Sequence, residues 1–261
     1  MGIQSFRASA YFNYIKHRKS IQYIHSPFLF ELMQHVFDDS AKNINPYFAE
    51  IESKRKLLVD DKTTIQFTDF GAGADIGGMV QEVQIGAIAK RSLKQAKYAR
   101  FLNRLIHHLK LESVVELGTS LGITSLYLAD AAKKVYTVEA DHTIRKIARK
   151  NWNHDCGIHS YVFDLNESWE MLAAKIGTID LLFIDANHRK EAMIRYYIQS
   201  KSHLHNKSVV VLDDIHWNEE TLQAWNVLKS RDEVTLSFDI FQMGFLFFDK
   251  RLSKESFTLK Y

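Results

Sequence analysis

The spacing of apolar residues changes near residue 90. Before that point the apolar positions recur at helical intervals. In "HSPFLFELMQHVF", Leu29, Leu32, Met33, Val36 and Phe37 share one helical face, with Ser26 as N-cap and Pro27 at the first helical position. Asn45 and Pro46 repeat that start signal ahead of "YFAEIESKRKLL". Tyr11, Phe12, Tyr14 and Tyr23 are expected to form a helical packing face, and Lys16 to Lys19 a solvated one. Residues 63–79 predict a strand that breaks into a glycine-rich loop. A last helix, "KQAKYARFLNRLIHHLK", carries Tyr98, Phe101, Leu102, Leu105, Ile106 and Leu109 along one stripe.

Beyond this helix the pattern is regular. Seven short apolar runs alternate with helix-like segments: "SVVEL", "KVYTVEA", "HSYVF", "IDLLFID", "SVVVLDD", "VTLSFD" and "GFLFF". Uninterrupted apolar strands separated by helices predict a parallel sheet covered on both faces. Only a few residues separate the last two runs, the second opening on Gly244, so an antiparallel hairpin closes the sheet. The expected fold is α/β: a doubly wound, mostly parallel seven-stranded sheet with an antiparallel last strand. An N-terminal helical extension (residues 1–90) precedes the main domain (residues 91–261). Such sheets bind ligands beyond the carboxyl ends of their strands, where strand order reverses.

Composition narrows the class. A net charge of +3 makes no general case for nucleic acid. The one cysteine, Cys156, rules out an internal disulfide framework and a cysteine-based zinc site and suits a reducing cytosol. No apolar run approaches the roughly 18 residues of a membrane span. The start "MGIQSF" has neither a signal-peptide core nor a myristoylation pattern. We therefore expect a cytoplasmic protein with no membrane partner.

The chemistry gathers at strand ends. "VVELGTSLGITSLYLA" runs from a strand through Gly118 and Gly122 into a helix. Gly118 permits a tight turn, and Gly122 is expected to let backbone approach a ligand at the helix N-terminus. The spacing G-x-x-x-G lacks the G-x-G-x-x-G of a dinucleotide cradle. The next strand ends in Glu139, 21 residues after Gly118, where a carboxylate can accept both hydroxyls of a ribose. The third ends at Asp164, a position suited to an adenine edge.

With "VYTVEAD", "YVFD" and "LLFIDANH", that stretch resembles the successive motifs of class I S-adenosylmethionine-dependent methyltransferases. It is most similar to the branch of catechol and caffeoyl-CoA O-methyltransferases, over residues 92–250. "YIHSPFLFEL" resembles a group of uncharacterised bacterial methyltransferases. The resemblance implies S-adenosylmethionine as cofactor, with Glu116, Gly118, Thr119, Ser120 and Gly122 at its methionine part. It further implies Glu139 at the ribose, Asp164 at the adenine, and Asp185 beside the reacting centre. Asp185, Asp213 and Asp214 stand where those enzymes hold a divalent cation such as Mg²⁺, which would acidify a substrate hydroxyl for in-line attack on the methyl group. Where those enzymes keep a lysine three residues after the first aspartate, this chain has His188, with Lys190 two further on. Histidine, with a reference pKa of about 6.5, can serve as a base near neutrality.

Letter for letter, "TDFGAGADIGG" resembles a methyltransferase glycine motif better than residues 116–122 do, but no helix-strand-acid sequence follows at the required spacing, and Arg91 stands roughly where the acid would fall. It is expected to lie over the site as a lid. Trp217 is close to the proposed site, and Trp225 is expected to pack. The acceptor implied is a small hydroxylated molecule, and an exposed aromatic N-terminal segment would suit a homodimer. Two other classes are weighed against this reading. One is an RNA or protein methyltransferase gripping its substrate with the N-terminal helices; the other is a non-catalytic adenosine-nucleotide or dinucleotide binder.

Overall fold

The structure, a computed structural model, describes residues 2–39, 45–70, 78–152, 156–163 and 169–261. The chain opens with helix α1 (Ile3–His17), α2 (Pro27–Val36) and α3 (Tyr47–Asp60). The first start signal acts as expected, with Ser26 Oγ accepting from Leu29 N; ahead of α3 the cap position is Pro46 rather than Asn45, and Asn45 Oδ1 accepts from Tyr47 N one residue further out. Strands β1 (Thr64–Asp69) and β2 (Met79–Gln84) follow as an antiparallel hairpin, then α4 (Ile85–Ser92) and α5 (Ala96–Leu109). The remainder alternates as β3 (Ser113–Leu117), α6 (Ile123–Ala131), β4 (Lys134–Glu139), α7 (His142–Asn151), β5 (Ile158–Val162), α8 (Trp169–Ala173), β6 (Ile179–Ile184), α9 (Lys190–Ser200), β7 (Leu204–Asp213) and α10 (Glu219–Lys229). It closes with β8 (Leu236–Asp239), β9 (Met243–Phe247) and β10 (Glu255–Thr258).

The main sheet has eight strands in the order β10-β8-β9-β7-β6-β3-β4-β5. Strand β9 alone runs antiparallel, slotted between β7 and β8. The seven apolar runs are all strands, and the eighth strand is β10, paired parallel to β8 at the edge. Strand order reverses between β3 and β6, so the crevice at a switch point opens above their carboxyl ends.

Side chains alternate between the two sheet faces, and both faces are buried. Val114, Leu181, Phe183, Val209, Val211 and Phe245 pack with α5 and α2 on one side. Val115, Leu117, Leu182, Ile184, Val210, Leu212 and Leu246 pack with α9 and α10 on the other. This double burial is why the strands lack polar alternation. The first 90 residues contribute to the first of these cores and to a third one. Leu29, Leu32 and Val36 join the first face, and Phe48, Ile51 and Ile88 pack against α6. The aromatic face expected near the N-terminus is only partly realised: Tyr14 is buried and donates to Leu259 O, whereas Phe12 is 72% exposed and Tyr23 64%. Tyr11 reaches Phe241 edge-on instead. Among the described residues no helix is long and apolar enough to cross a membrane.

Candidate active site

A cavity of about 720 Å³ opens above the carboxyl ends of β3, β4, β6 and β7. Gly118 forms its floor with φ +102°, and a Cβ there would lie 2.1 Å from Asp185 O. Glycine is required because the turn after β3 runs against the backbone leaving β6. Gly122 also has positive φ and is not among the residues that line the cavity; a Cβ there would meet the Trp152 indole, whose Nε1 donates to Gly122 O and locks the start of α6.

Glu139 ends β4 and lines the cavity. Its Oε2 accepts from Ser120 N at 2.9 Å and its Oε1 from Asp141 N at 3.2 Å. Burial raises its pKa to about 7, against the lowering effect of those two donors. Each oxygen keeps further acceptor capacity, so two vicinal hydroxyls can be held there. Ser120, with φ 49°, lines the cavity too. Asp164 lies outside the described residues.

Glu116 and Thr119 stand behind the cavity wall. Glu116 is fully buried; Ser125 Oγ and Thr137 Oγ1 donate to its Oε2 at 2.5 and 2.6 Å, and Thr119 Oγ1 bonds Thr137 Oγ1. Its Oε1 has no hydrogen-bond partner among the described residues, and burial raises its pKa to about 7. The folded chain therefore favours neutral Glu116. Its stabilising contribution is full below about pH 4.5 and is lost as pH rises through about 7. Glu116→Gln is expected to remove about 3 kcal/mol from the fall in stability between about pH 5 and 8, at about 1.4 kcal/mol per pKa unit. Urea unfolding at both pH values measures this, and an unchanged pH slope would refute it.

Asp185, just past β6, and Asp213, ending β7, meet across adjacent strands, with Asp214 alongside. The sequence expectation of an open cation site does not fit the donor set found here. Lys94, in the link between α4 and α5, places its ammonium against Asp213 and 4.0 Å from Asp185 Oδ2. Its side chain is 8% exposed and that of Asp213 1%. Burial alone would lower the lysine pKa, but Asp213, Asp185 and Asp214 together push it above its ordinary value. Burial raises Asp185 to about 6 despite Lys94, and burial followed by the Asp185 charge raises Asp213 well above the carboxylate range. Asp185 and Asp213 crowd one ammonium, and the neighbouring Asp214 charge adds to the repulsion felt by both. Asp213 Oδ2 is taken by Lys94, and Oδ1 is buried without a hydrogen-bond partner among the described residues. Among the described residues no group of three or more His, Cys, Asp or Glu side chains is arranged to hold a metal ion.

His188 lines the cavity, with Nε2 3.6 Å from Asp185 Oδ1. Lys190 is not brought to it: as the first residue of α9 it donates from Nζ to Gln223 Oε1, and Glu220 accepts from its backbone N. Non-glycine residues with positive φ gather here. Ser120, Asn187, His188 and Asp214 all line the cavity, and such backbone is held only where packing over-determines it.

Two wall elements were not read from sequence as site residues, and a third, the hairpin flanking the glycine-rich segment, was expected only as a lid. Lys94 and Tyr98 come from the approach to α5 and its first turn. Arg7 of α1 stands 4.5 Å over the Trp217 ring, both at the rim. The β1–β2 hairpin adds Phe67, Thr68, Met79 and Gln81, docked by Thr68 N on Asp141 Oδ2. Of the glycine-rich segment expected to act as a lid, residues 71–77 lie outside the described residues.

Residues 115–215 match the model of a family described as a methyltransferase domain. That segment spans β3 to just past β7 and is a methyltransferase domain; it contains Gly118, Glu139, Asp185 and Asp213. No curated protein matches the chain. Solved structures share the fold at low identity. An O-methyltransferase from Bacillus cereus, in complex with S-adenosylhomocysteine, is 17% identical (TM-score 0.52), covering 60% of this chain and 83% of its own. A protein from Klebsiella pneumoniae described as an O-methyltransferase is 15% identical (TM-score 0.54), covering 84% of this chain and 94% of its own. One from Staphylococcus aureus described as a caffeoyl-CoA O-methyltransferase is 14% identical (TM-score 0.53), with 84% and 97% covered.

Proposed function

We propose that this methyltransferase-domain protein uses S-adenosylmethionine to methylate a hydroxyl of a small acceptor. The observation that carries the reading is Glu139. It is a strand-end carboxylate fixed by two backbone N–H groups at the rim of a switch-point cavity, with spare lone pairs for a ribose diol. The cavity volume suits a cofactor with a small acceptor rather than a polymer. Arg7 bounds the space from the N-terminal helix, which favours a closed small-molecule site over a macromolecular grip.

In this reading His188 takes the hydroxyl proton, and Asp185 orients the ring from 3.6 Å. The oxygen then attacks the methyl carbon as the carbon–sulfur bond breaks, turning the sulfonium into a neutral thioether. No step is routed through a metal, because the carboxylates are already engaged by Lys94.

The test is calorimetric titration with S-adenosylhomocysteine. Micromolar binding is expected for the wild type. Glu139→Ala should weaken it at least tenfold, since hydrogen bonds to a charged group contribute about 1.5–3 kcal/mol each. Affinity should also rise between about pH 6 and 8, as Glu139 ionises and becomes the stronger acceptor. Wild-type protein that binds NADH or ATP but not S-adenosylhomocysteine would overturn the proposal.

A further inference from the structure

We propose that Lys94 is the resident cation of the acceptor end of the cavity, and that its ammonium takes the place of a divalent ion among Asp185, Asp213 and Asp214. Calling that end the acceptor site rests on the methyltransferase reading above; the ion cluster itself does not.

The backbone fixes Lys94 from both sides. Leu93 caps the end of α4 and Gln95 the start of α5, so the lysine sits in a two-helix corner with no loop to carry it away. Its stem is buried, and its head contacts Asp213 and stands 4.0 Å from Asp185, on two adjacent strands. That is where a bridging divalent ion would have to sit to use both carboxylates. An ion bound there would face the ammonium at contact range in a dry site, where like charges are poorly screened. It would also have to displace Lys94 from Asp213 Oδ2, leaving a buried ammonium without its partner. The lysine supplies what a metal would otherwise provide to the fold: positive charge between crowded acids. It also leaves His188 and the open face of Asp185 towards the cavity. Methyl transfer at this site is therefore metal-independent.

The test uses Mn²⁺ alone, followed by its electron paramagnetic resonance signal, on the full-length protein with and without S-adenosylhomocysteine. Wild-type protein is expected to bind no Mn²⁺ up to millimolar concentrations. Lys94→Ala should open the carboxylate cluster and bind Mn²⁺ at least about tenfold more tightly than the wild type, and Asp213→Asn in that background should remove the gain. Lys94→Gln, which keeps most of the volume, replaces Lys94→Ala if circular dichroism shows the latter unfolded. Mn²⁺ bound by the wild type and lost in Asp213→Asn would overturn the proposal, as would a folded Lys94 variant that gains no Mn²⁺. If neither variant folds, the wild-type and Asp213→Asn titrations decide it by the same criterion. S-adenosylhomocysteine binding in the same samples separates the two readings. Its absence would sink the methyltransferase assignment while leaving the Mn²⁺ result to judge the lysine.

Discussion

Gly118→Ala is expected to destabilise the protein by about 4 kcal/mol, at the upper end of single-residue effects. The left-handed conformation, φ +102°, costs an alanine about 1–2 kcal/mol by itself. The larger part comes from overlap: the new Cβ would lie 2.1 Å from Asp185 O and 2.8 Å from its carbonyl carbon, which are backbone atoms. Neither chain can retreat cheaply. Gly118 N donates to Val138 O, and Asp185 N donates to Leu117 O, so both segments are pinned to neighbouring strands. The turn would have to lift away, taking Ser120 from Glu139 and disturbing the cavity floor. Urea unfolding monitored by fluorescence gives the stability, and S-adenosylhomocysteine titration the site. A mutant within about 1 kcal/mol of the wild type would show that the contact between the β3 turn and the β6 exit is not as close as described.

That contact shows what sequence could and could not convey. The strand "SVVEL" and its Gly118 turn were legible because burial on both faces removes polar alternation and the turn demands a residue without Cβ. The reason for Gly122 was not, because the constraint comes from Trp152, 30 residues away and in another element. Strand β10, "ESFT", escaped notice because an edge strand with two exposed residues carries no apolar run. The polar strand β2, "MVQEVQ", was hidden for the same reason. Asp185, Asp213 and Glu139 could be found as acids at strand ends. Lys94 could not: it lies 119 residues from Asp213 in a basic segment that resembles any solvated helix approach. Sequence showed the anionic half of the cluster and concealed the cation that completes it, which is why an open metal cage was the natural expectation. Arg7 was hidden likewise, since nothing local links α1 to Trp217.

The Lys94–Asp213 pair should also dominate the energetics of the site. Asp213→Ala is expected to cost about 3–5 kcal/mol, the range for stranding one member of a buried pair. The loss is not that of the contact itself. The ammonium belongs to a side chain only 8% exposed in the intact protein, and it would be left with Asp185, 4.0 Å away, as its compensation. Lys94→Met leaves the complementary problem, three acids without a cation. The double variant Lys94→Met/Asp213→Ala removes both charges, so its loss should fall short of the sum of the two singles by at least about 1 kcal/mol. Chemical unfolding of the four proteins closes the cycle. Losses that add within about 0.5 kcal/mol would mean that the two residues do not interact, and the cluster described here would have to be redrawn. A clear shortfall would establish the pair independently of any ligand. The carboxylate cluster would then be a built-in ion pair of the fold, on which the acceptor site is assembled.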